Sequence, residues 1–566
     1  MTAPPIRPLD DADELAAPLD ALLVDAAFGP LRRLVPDLSV ARLAGRLATR
    51  PLTTGRRLGG FAAELARIGT GMSALAPAPK DRRFADPAWT QNPLLRRLVQ
   101  TYLAAGRTVG QLIADGELGW RDNERVKFIA ENLLEALSPS NVPLVNPASA
   151  KAVIDTGGLN FLRGGLNLAR DMASAPRVPQ MVDTSGFKVG DNIAVTPGAV
   201  VLRTDVFELI QYSPQTPEVR EVPLLIIPPT INKFYAIDLA PGRSWIECLV
   251  RSGQQVFVMS WRNPDARHAN WGLDTYVQAA LDALDAVEKI CRTGRTVLTG
   301  VCSGGIIASL VSGYLAGTGR LDRLAGIGFT VSVLDHRQAG IPSALGDPYL
   351  AMAAVARSRR QGYLDGKVLA EVFAWLRPGD LIWQYWVNNY LLGRKPPAFD
   401  VLFWNADTTR MTAQLHADFV DLALHNQLSE PGGTTALGVP VDLAAVDVDG
   451  YVVAGVADHI TPWQSCYRTT ALLGGDTRFV LSTSGHIAAL VNPPTNAKAT
   501  YQVNEENPAD PKEWLQGAET QQGSWWPDFT AWLGQRCGPD RKAPTRLGTR
   551  GLAPLIEAPG TYVLDR

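Results

Sequence analysis

The chain of 566 residues is 46% hydrophobic, which is enough apolar material for a large core and for more than one domain. Its 54 Lys and Arg against 56 Asp and Glu leave a formal net charge of −2, without the basic footprint of a nucleic-acid-binding chain. The N-terminal stretch M-T-A-P-P-I-R-P-L-D-D-A-D-E-L is acidic and lacks an apolar core, so it does not read as a secretory signal. No run is long and apolar enough to span a bilayer, and a cytoplasmic protein without a transmembrane segment is expected.

Residues 1 to about 185 read as a mainly helical N-terminal domain. Ala41–Ala48 is rich in Ala, Leu and Arg, and Asn92–Leu103 and Asn123–Leu137 carry apolar residues at helical spacing. Pro139, Pro143 and Pro147 then end the helical reading. From 186 to 566 the texture changes. Ala199–Tyr212 is rich in β-branched and aromatic residues, and Val222–Ile227 and Gln255–Trp261 are short apolar runs typical of buried strands. Leu273–Cys291 follows with helical spacing, then a strand at Thr296–Val301, a Gly-rich turn, a helical stretch at Ile306–Tyr314 and a strand at Leu324–Leu334. This alternation predicts a doubly wound, mostly parallel sheet. An aromatic-rich, helix-like insertion at about 336–440 interrupts it and is expected to cap the site, the alternative being a helical subdomain with no gating role. Strand character resumes at Tyr451–Gly455 and Arg478–Ser482.

Five cysteines lie at 248, 291, 302, 466 and 537, an odd, dispersed set that suggests neither a disulfide framework nor a zinc site, so no metal is expected. One of them differs from a buried small hydrophobe. Gly300-Val301-Cys302-Ser303-Gly304-Gly305 follows a predicted strand and opens a predicted helix. That is the context of the nucleophile elbow, G-x-S-x-G, with Cys in place of Ser. Side chains two positions from the apex would strike the neighbouring strand and helix, so glycine is required there. The new helix directs its N–H groups at the sulfur and favours the thiolate. A buried cysteine in a Gly-rich turn is the bland alternative, and Ser303 is a competing nucleophile that lies off the apex. The fold class predicted is therefore α/β, of the α/β-hydrolase type.

In that fold the order is nucleophile, acid, histidine. Asp458 follows the penultimate predicted strand, where the acid belongs, and His486 follows the last, where the base belongs. His459, next to the acid, is the rival base but sits after the wrong strand. Ser303 would lend its backbone N–H to the oxyanion hole. The second donor would come from Pro228–Lys233, where the prolines donate nothing, leaving the N–H of Thr230 or Ile231, with Ile231 preferred.

These motifs, together with Pro228–Tyr235, Ser260–Pro264, Ala457–Trp463 and Ser484–Ile487, resemble the polyhydroxyalkanoate synthases. Asp86–Trp89, Asn92–Leu94, Ser138–Asn141 and Gly165–Met172 carry the resemblance into the N-terminal half, so that it spans roughly 80–535. The resemblance implies a triad of Cys302, Asp458 and His486, the residues already chosen from topology. It implies (R)-3-hydroxyacyl-CoA substrates, growth of a polyester chain with release of CoA and no separate cofactor. It also implies a homodimer attached to the polyester granule, with no partner subunit needed. Asn270–Tyr276 and Trp404–Arg410 look closer to the medium-chain type. Two rival readings share the motifs: a cysteine-dependent thioesterase or polyester hydrolase, and a non-catalytic granule-coating protein. Trp383–Trp386 and Gly523–Asp528 are read as core, with contact to the polymer as the other reading.

Overall fold

The computed structural model describes residues 38–79, 81–337 and 348–566. The chain divides into two compact units. One holds Thr184–Gly366 and Asp400–Arg566, and the other runs up to Asp183 and includes Lys367–Phe399.

The larger unit is built on an eleven-stranded sheet. Its strands, in chain order, are β1 (Gly198–Arg203), β2 (Phe207–Tyr212), β3 (Leu224–Ile227), β4 (Val256–Trp261), β5 (Thr296–Val301) and β6 (Leu324–Thr330), then β7 (Gly450–Gly455), β8 (Thr477–Ser482), β9 (Thr500–Val503), β10 (Glu519–Gln522) and β11 (Ile556–Glu557). The spatial order is β10-β9-β8-β7-β6-β5-β3-β4-β2-β1-β11. The run from β8 to β4 is parallel throughout, and the strands added at both edges pair antiparallel. Every residue of β3, β4, β5, β6 and β7 is buried, as expected for strands covered by helices on both faces.

The expected alternation is present, with differences at the ends. Ala199–Tyr212 is not one strand but two, because Thr204 Oγ1 accepts the N–H groups of Val206 (3.1 Å) and Phe207 (3.2 Å) and turns the chain back. The strand expected to reach Leu334 stops at Thr330, since Val331 takes a φ of 47°. Arg478–Ser482 is not the last strand, as β9, β10 and β11 follow.

One face of the sheet carries an aromatic core. The Trp245 and Trp525 rings lie 5.1 Å apart, and those of Tyr451 and Phe529 4.9 Å apart. Trp525 and Trp526 are each 1% exposed, and their indole N–H groups donate to the carbonyls of Ala489 (2.6 Å) and Leu490 (3.1 Å). The Trp-rich stretch at 523–528 is thus core, with its polar handles satisfied inside.

The helical unit contains Leu38–Ala48, Pro51–Thr70, Pro93–Asp115, Trp120–Ala136, Pro147–Thr156 and Leu159–Met172 among its helices. Pro147 starts a helix where the sequence reading expected an end. It occupies the first turn, where no N–H is needed, and Asn146 Oδ1 accepts from Ala148 N (3.0 Å) and Ser149 N (3.2 Å). Asn92 and Pro93 repeat the device at the start of Pro93–Asp115. The insertion expected as one cap at about 336–440 is divided, and Lys367–Phe399 belongs to the helical unit. There Asn160 Nδ2 donates to Leu391 O (2.8 Å), and a Cβ on Gly164 would lie 1.9 Å from Tyr390 O, so the helix Leu159–Met172 meets this segment backbone to backbone.

Candidate active site

Cys302 stands at the turn between β5 and the helix Ser303–Gly317, with φ 52° and ψ −121°. A non-glycine residue rarely adopts this backbone, and here the surroundings impose it. Cys302 N–H donates to Thr330 O (2.9 Å), and Cys302 O accepts from Gly305 N–H (2.9 Å) and Ser332 Oγ (2.9 Å). The flanking glycines have no room for side chains. A Cβ on Gly300 would lie 2.5 Å from Gly305 Cα, one on Gly304 2.2 Å from Ile227 O, and one on Gly305 2.2 Å from Ser332 Oγ. The helix that follows is buried on nearly all sides, which holds the elbow rigidly against the sheet.

Asp458 lies in the loop after β7 and His486 begins the short helix after β8. β7 and β8 are neighbours in register, Gly455 opposite Ser482, so the two loops leave the sheet side by side. The structure brings Cys302, Asp458 and His486 together. His486 Nδ1 lies 2.7 Å from Asp458 Oδ2, and the ring is near enough to Cys302 for the thiol to help raise its pKa. It is His486 rather than the adjacent His459 that occupies this position.

The carboxylate is fully committed. Asp458 Oδ1 accepts the N–H groups of Ile460 (2.8 Å) and Thr461 (2.9 Å), and Oδ2 accepts the Thr461 hydroxyl (2.5 Å) as well as the imidazole. Burial alone would raise the Asp458 pKa, but the charge of His486 and these hydrogen bonds hold it below the ordinary carboxylate value. Burial likewise works against the charged form of His486. The charge and hydrogen bond of Asp458, with the nearby Cys302, outweigh it and lift the pKa to about 10. Asp458 is therefore the anion and His486 the proton holder of the pair.

Ser303, next to Cys302 in the chain, and Ile231, in the loop after β3, are the residues named for the oxyanion hole and sit in different settings. Thr230 N–H, the other candidate donor, is engaged by Ser303 Oγ at 3.0 Å. Ile231 is 6% exposed, and its carbonyl accepts from Thr409 N–H (3.3 Å) and from the Thr409 hydroxyl. The loop after β3 is pinned further by Trp261 Nε1, which donates to Pro228 O (3.0 Å). Sequence reasoning missed three residues of the site: the Ser303 hydroxyl as an anchor for this loop, Thr461 and His336. The motif A-D-H-I-T-P contains Thr461 three residues after the acid, a spacing from which a side-chain cap could have been inferred. Nothing local marks His336. Among the described residues no group of three or more His, Cys, Asp or Glu is placed to hold a metal ion.

Residues 80–249 match the family described as Poly-beta-hydroxybutyrate polymerase (PhaC) N-terminus, and residues 223–493 match the alpha/beta hydrolase fold. The chain is 44% identical over 530 residues to Poly(3-hydroxyalkanoate) polymerase 2 of Ectopseudomonas oleovorans, covering 94% of each chain. Polymerase 1 of the same organism is 45% identical over the same shares. The Poly(3-hydroxyalkanoate) polymerase subunit PhaC of Cupriavidus necator is 38% identical over 85% of this chain and 83% of its own. With that likeness running across both units and a cysteine elbow at the centre of the sheet, the chain belongs to the poly(3-hydroxyalkanoate) polymerase family.

Proposed function

We propose that this protein polymerises (R)-3-hydroxyacyl-CoA into polyhydroxyalkanoate, releasing CoA, through a thioester on Cys302. The observation that carries this reading is the line Cys302–His486–Asp458 at a strained elbow in a chain of this family. With the Cys302 proton resting on His486, Cys302 Sγ attacks the thioester carbonyl carbon. CoA leaves as a thiolate and takes that proton, so one thioester replaces another and the step is near thermoneutral. The hydroxyl of a hydroxyacyl chain then attacks a thioester. Its proton goes to His486, a C–O bond forms, and the departing sulfur recovers the proton. Exchange of a thioester for a more stable oxoester drives elongation. A serine nucleophile would form the oxoester one step too early.

Asp458 holds the Nδ1–H tautomer of His486 and stabilises the imidazolium, which leaves the other ring nitrogen for the sulfur and hydroxyl. The thioester is already activated, so the reaction as proposed needs no cofactor beyond the acyl-CoA itself. Backbone N–H groups at Ser303 and in the loop after β3 would stabilise the tetrahedral oxyanion. No described helix is long and apolar enough to cross a membrane. We place the enzyme as a homodimer at the surface of polyester granules in the cytoplasm, with medium-chain substrates the better donors.

Purified protein incubated with (R)-3-hydroxybutyryl-CoA, and separately with a medium-chain homologue, tests the reading while free CoA and polymer are followed. CoA release with polyester, absent in Cys302→Ala, is expected. Release of CoA with only free hydroxy acid would make the protein a thioesterase and overturn the proposal.

A further inference from the structure

Ser303, Ile306, Val333, His336, Ile460 and Thr461 line a small cavity beside Cys302, with room of about 20 Å³, enough for one water-sized group. Three of the six are aliphatic, and the hydroxyls of Ser303 and Thr461 are engaged by Thr230 N–H and Asp458. His336 is the remaining one, and it is not a satisfied core histidine. The residue is 2% exposed, and among the described residues neither Nδ1 nor Nε2 has a hydrogen-bond partner. Buried polar groups are nearly always paired, because leaving one unmade costs its full desolvation.

The neighbours of His336 are committed elsewhere. The Asp335 carboxylate is taken by Arg337 (Nη2 to Oδ2, 2.6 Å) and by Asn426 Nδ2 (3.1 Å). The His336 backbone N–H is held by Asn426 Oδ1 at 2.7 Å, so the main chain is anchored while the ring is left unpaired. Burial, against a weaker opposing pull from Asp335, lowers the ring's pKa to about 4. The imidazole is therefore neutral at neutral pH and offers one N–H donor and one acceptor.

An acyl group on Cys302 would place its carbonyl oxygen toward the oxyanion donors. Beyond that carbonyl, a 3-hydroxyacyl group carries one polar atom before its hydrocarbon tail, the oxygen on carbon 3. In the monomer this oxygen is a hydroxyl, which donates and accepts. In the growing chain it is an ester oxygen, which only accepts. A neutral imidazole meets both forms, and an aliphatic wall meets neither.

We propose that His336 binds the oxygen on carbon 3 of the acyl group carried by Cys302, and that the enzyme thereby selects 3-hydroxyacyl over unsubstituted acyl thioesters. The inference rests on the polymerase reading above and adds to it the residue that reads the substrate's defining substituent. A site built to bond a substrate hydroxyl rejects the analogue lacking it, because its own polar groups are then left unpaired.

The test is single-turnover CoA release from (R)-3-hydroxyoctanoyl-CoA and from octanoyl-CoA, with wild type, His336→Leu and His336→Asn. Octanoyl-CoA can acylate Cys302 but cannot be elongated. Wild type is expected to favour the hydroxy substrate. His336→Leu should lower that preference by about 10- to 100-fold, and His336→Asn, which keeps a donor and an acceptor, should restore part of it. Equal losses on both substrates, or no change in their ratio, would overturn the inference while wild-type polymer formation still supports the polymerase reading. Failure of wild type to be acylated by either thioester would overturn that reading and this one with it.

Discussion

The Thr461 hydroxyl donates to Asp458 Oδ2 at 2.5 Å, the same oxygen that meets His486 Nδ1 at 2.7 Å. Thr461 Oγ1 also lies 3.1 Å from that nitrogen, so acid, base and hydroxyl form a closed triangle. The loop after β7 thus caps its own carboxylate, with two backbone N–H groups on one oxygen and a hydroxyl on the other.

Removing that hydroxyl leaves a buried carboxylate one hydrogen bond short, and hydrogen bonds to charged groups are worth about 1.5–3 kcal/mol. Thr461→Val, close to isosteric, is expected to lower the kcat for CoA release by about 10-fold or more, with little effect on KM. Thr461→Ser should recover most of the loss. A KM effect alone would place Thr461 in substrate binding instead.

Stability should peak near pH 6.5. Burial pulls His336 and His416 from 6.5 to about 4, so between those values the unfolded chain binds more protons and stability falls as the pH drops. His486 is lifted from 6.5 to about 10 by Asp458 and Cys302 against its burial, so its contribution is complete below 6.5 and is lost as the pH rises toward 10. Each group contributes a slope of about 1.4 kcal/mol per pH unit within its window. Melting temperature followed across pH checks this. His486→Gln should flatten the alkaline limb and His416→Leu the acid one.

Gly304→Ala would force a Cβ to 2.2 Å from the Ile227 carbonyl oxygen, a backbone atom that cannot swing aside. A loss of about 3 kcal/mol or more is expected, read as a lower denaturation midpoint. Gly294→Ala, with no described atom within 4 Å of the added carbon, is the matched control and should change little.

Among the described residues His336 pairs neither ring nitrogen, so the fold carries an uncompensated desolvation there. Replacing it with Leu removes the unpaired groups and fills the site with apolar volume. The variant is therefore expected to melt at a temperature equal to or above that of wild type, even as its substrate preference falls. A large drop in melting temperature would show that the ring has a structural partner.

Much of the α/β unit was legible in the chain because its signals are local. Thr296–Val301 and Leu273–Cys291 declare their type and their ends through run length, spacing and flanking turn residues. The spacing of Gly300, Cys302, Gly304 and Gly305 follows from the clash distances at one turn, and the order of Asp458 and His486 after successive strands follows from the topology. These features made the three residues candidates. Other features depended on partners distant in sequence. Pro147 opens a helix because Asn146 caps it, and Lys367–Phe399 joins the helical unit because Gly164 lets two backbones approach. Ser303 and Thr230 are 73 residues apart, and Thr461 and His486 are 25 apart. A lone histidine at 336 has no local signature, since what sets it apart is the pairing it lacks. Periodicity and glycine spacing report what a residue does to its near neighbours along the chain. Burial and unmet hydrogen bonds exist only once the distant parts of the chain have packed.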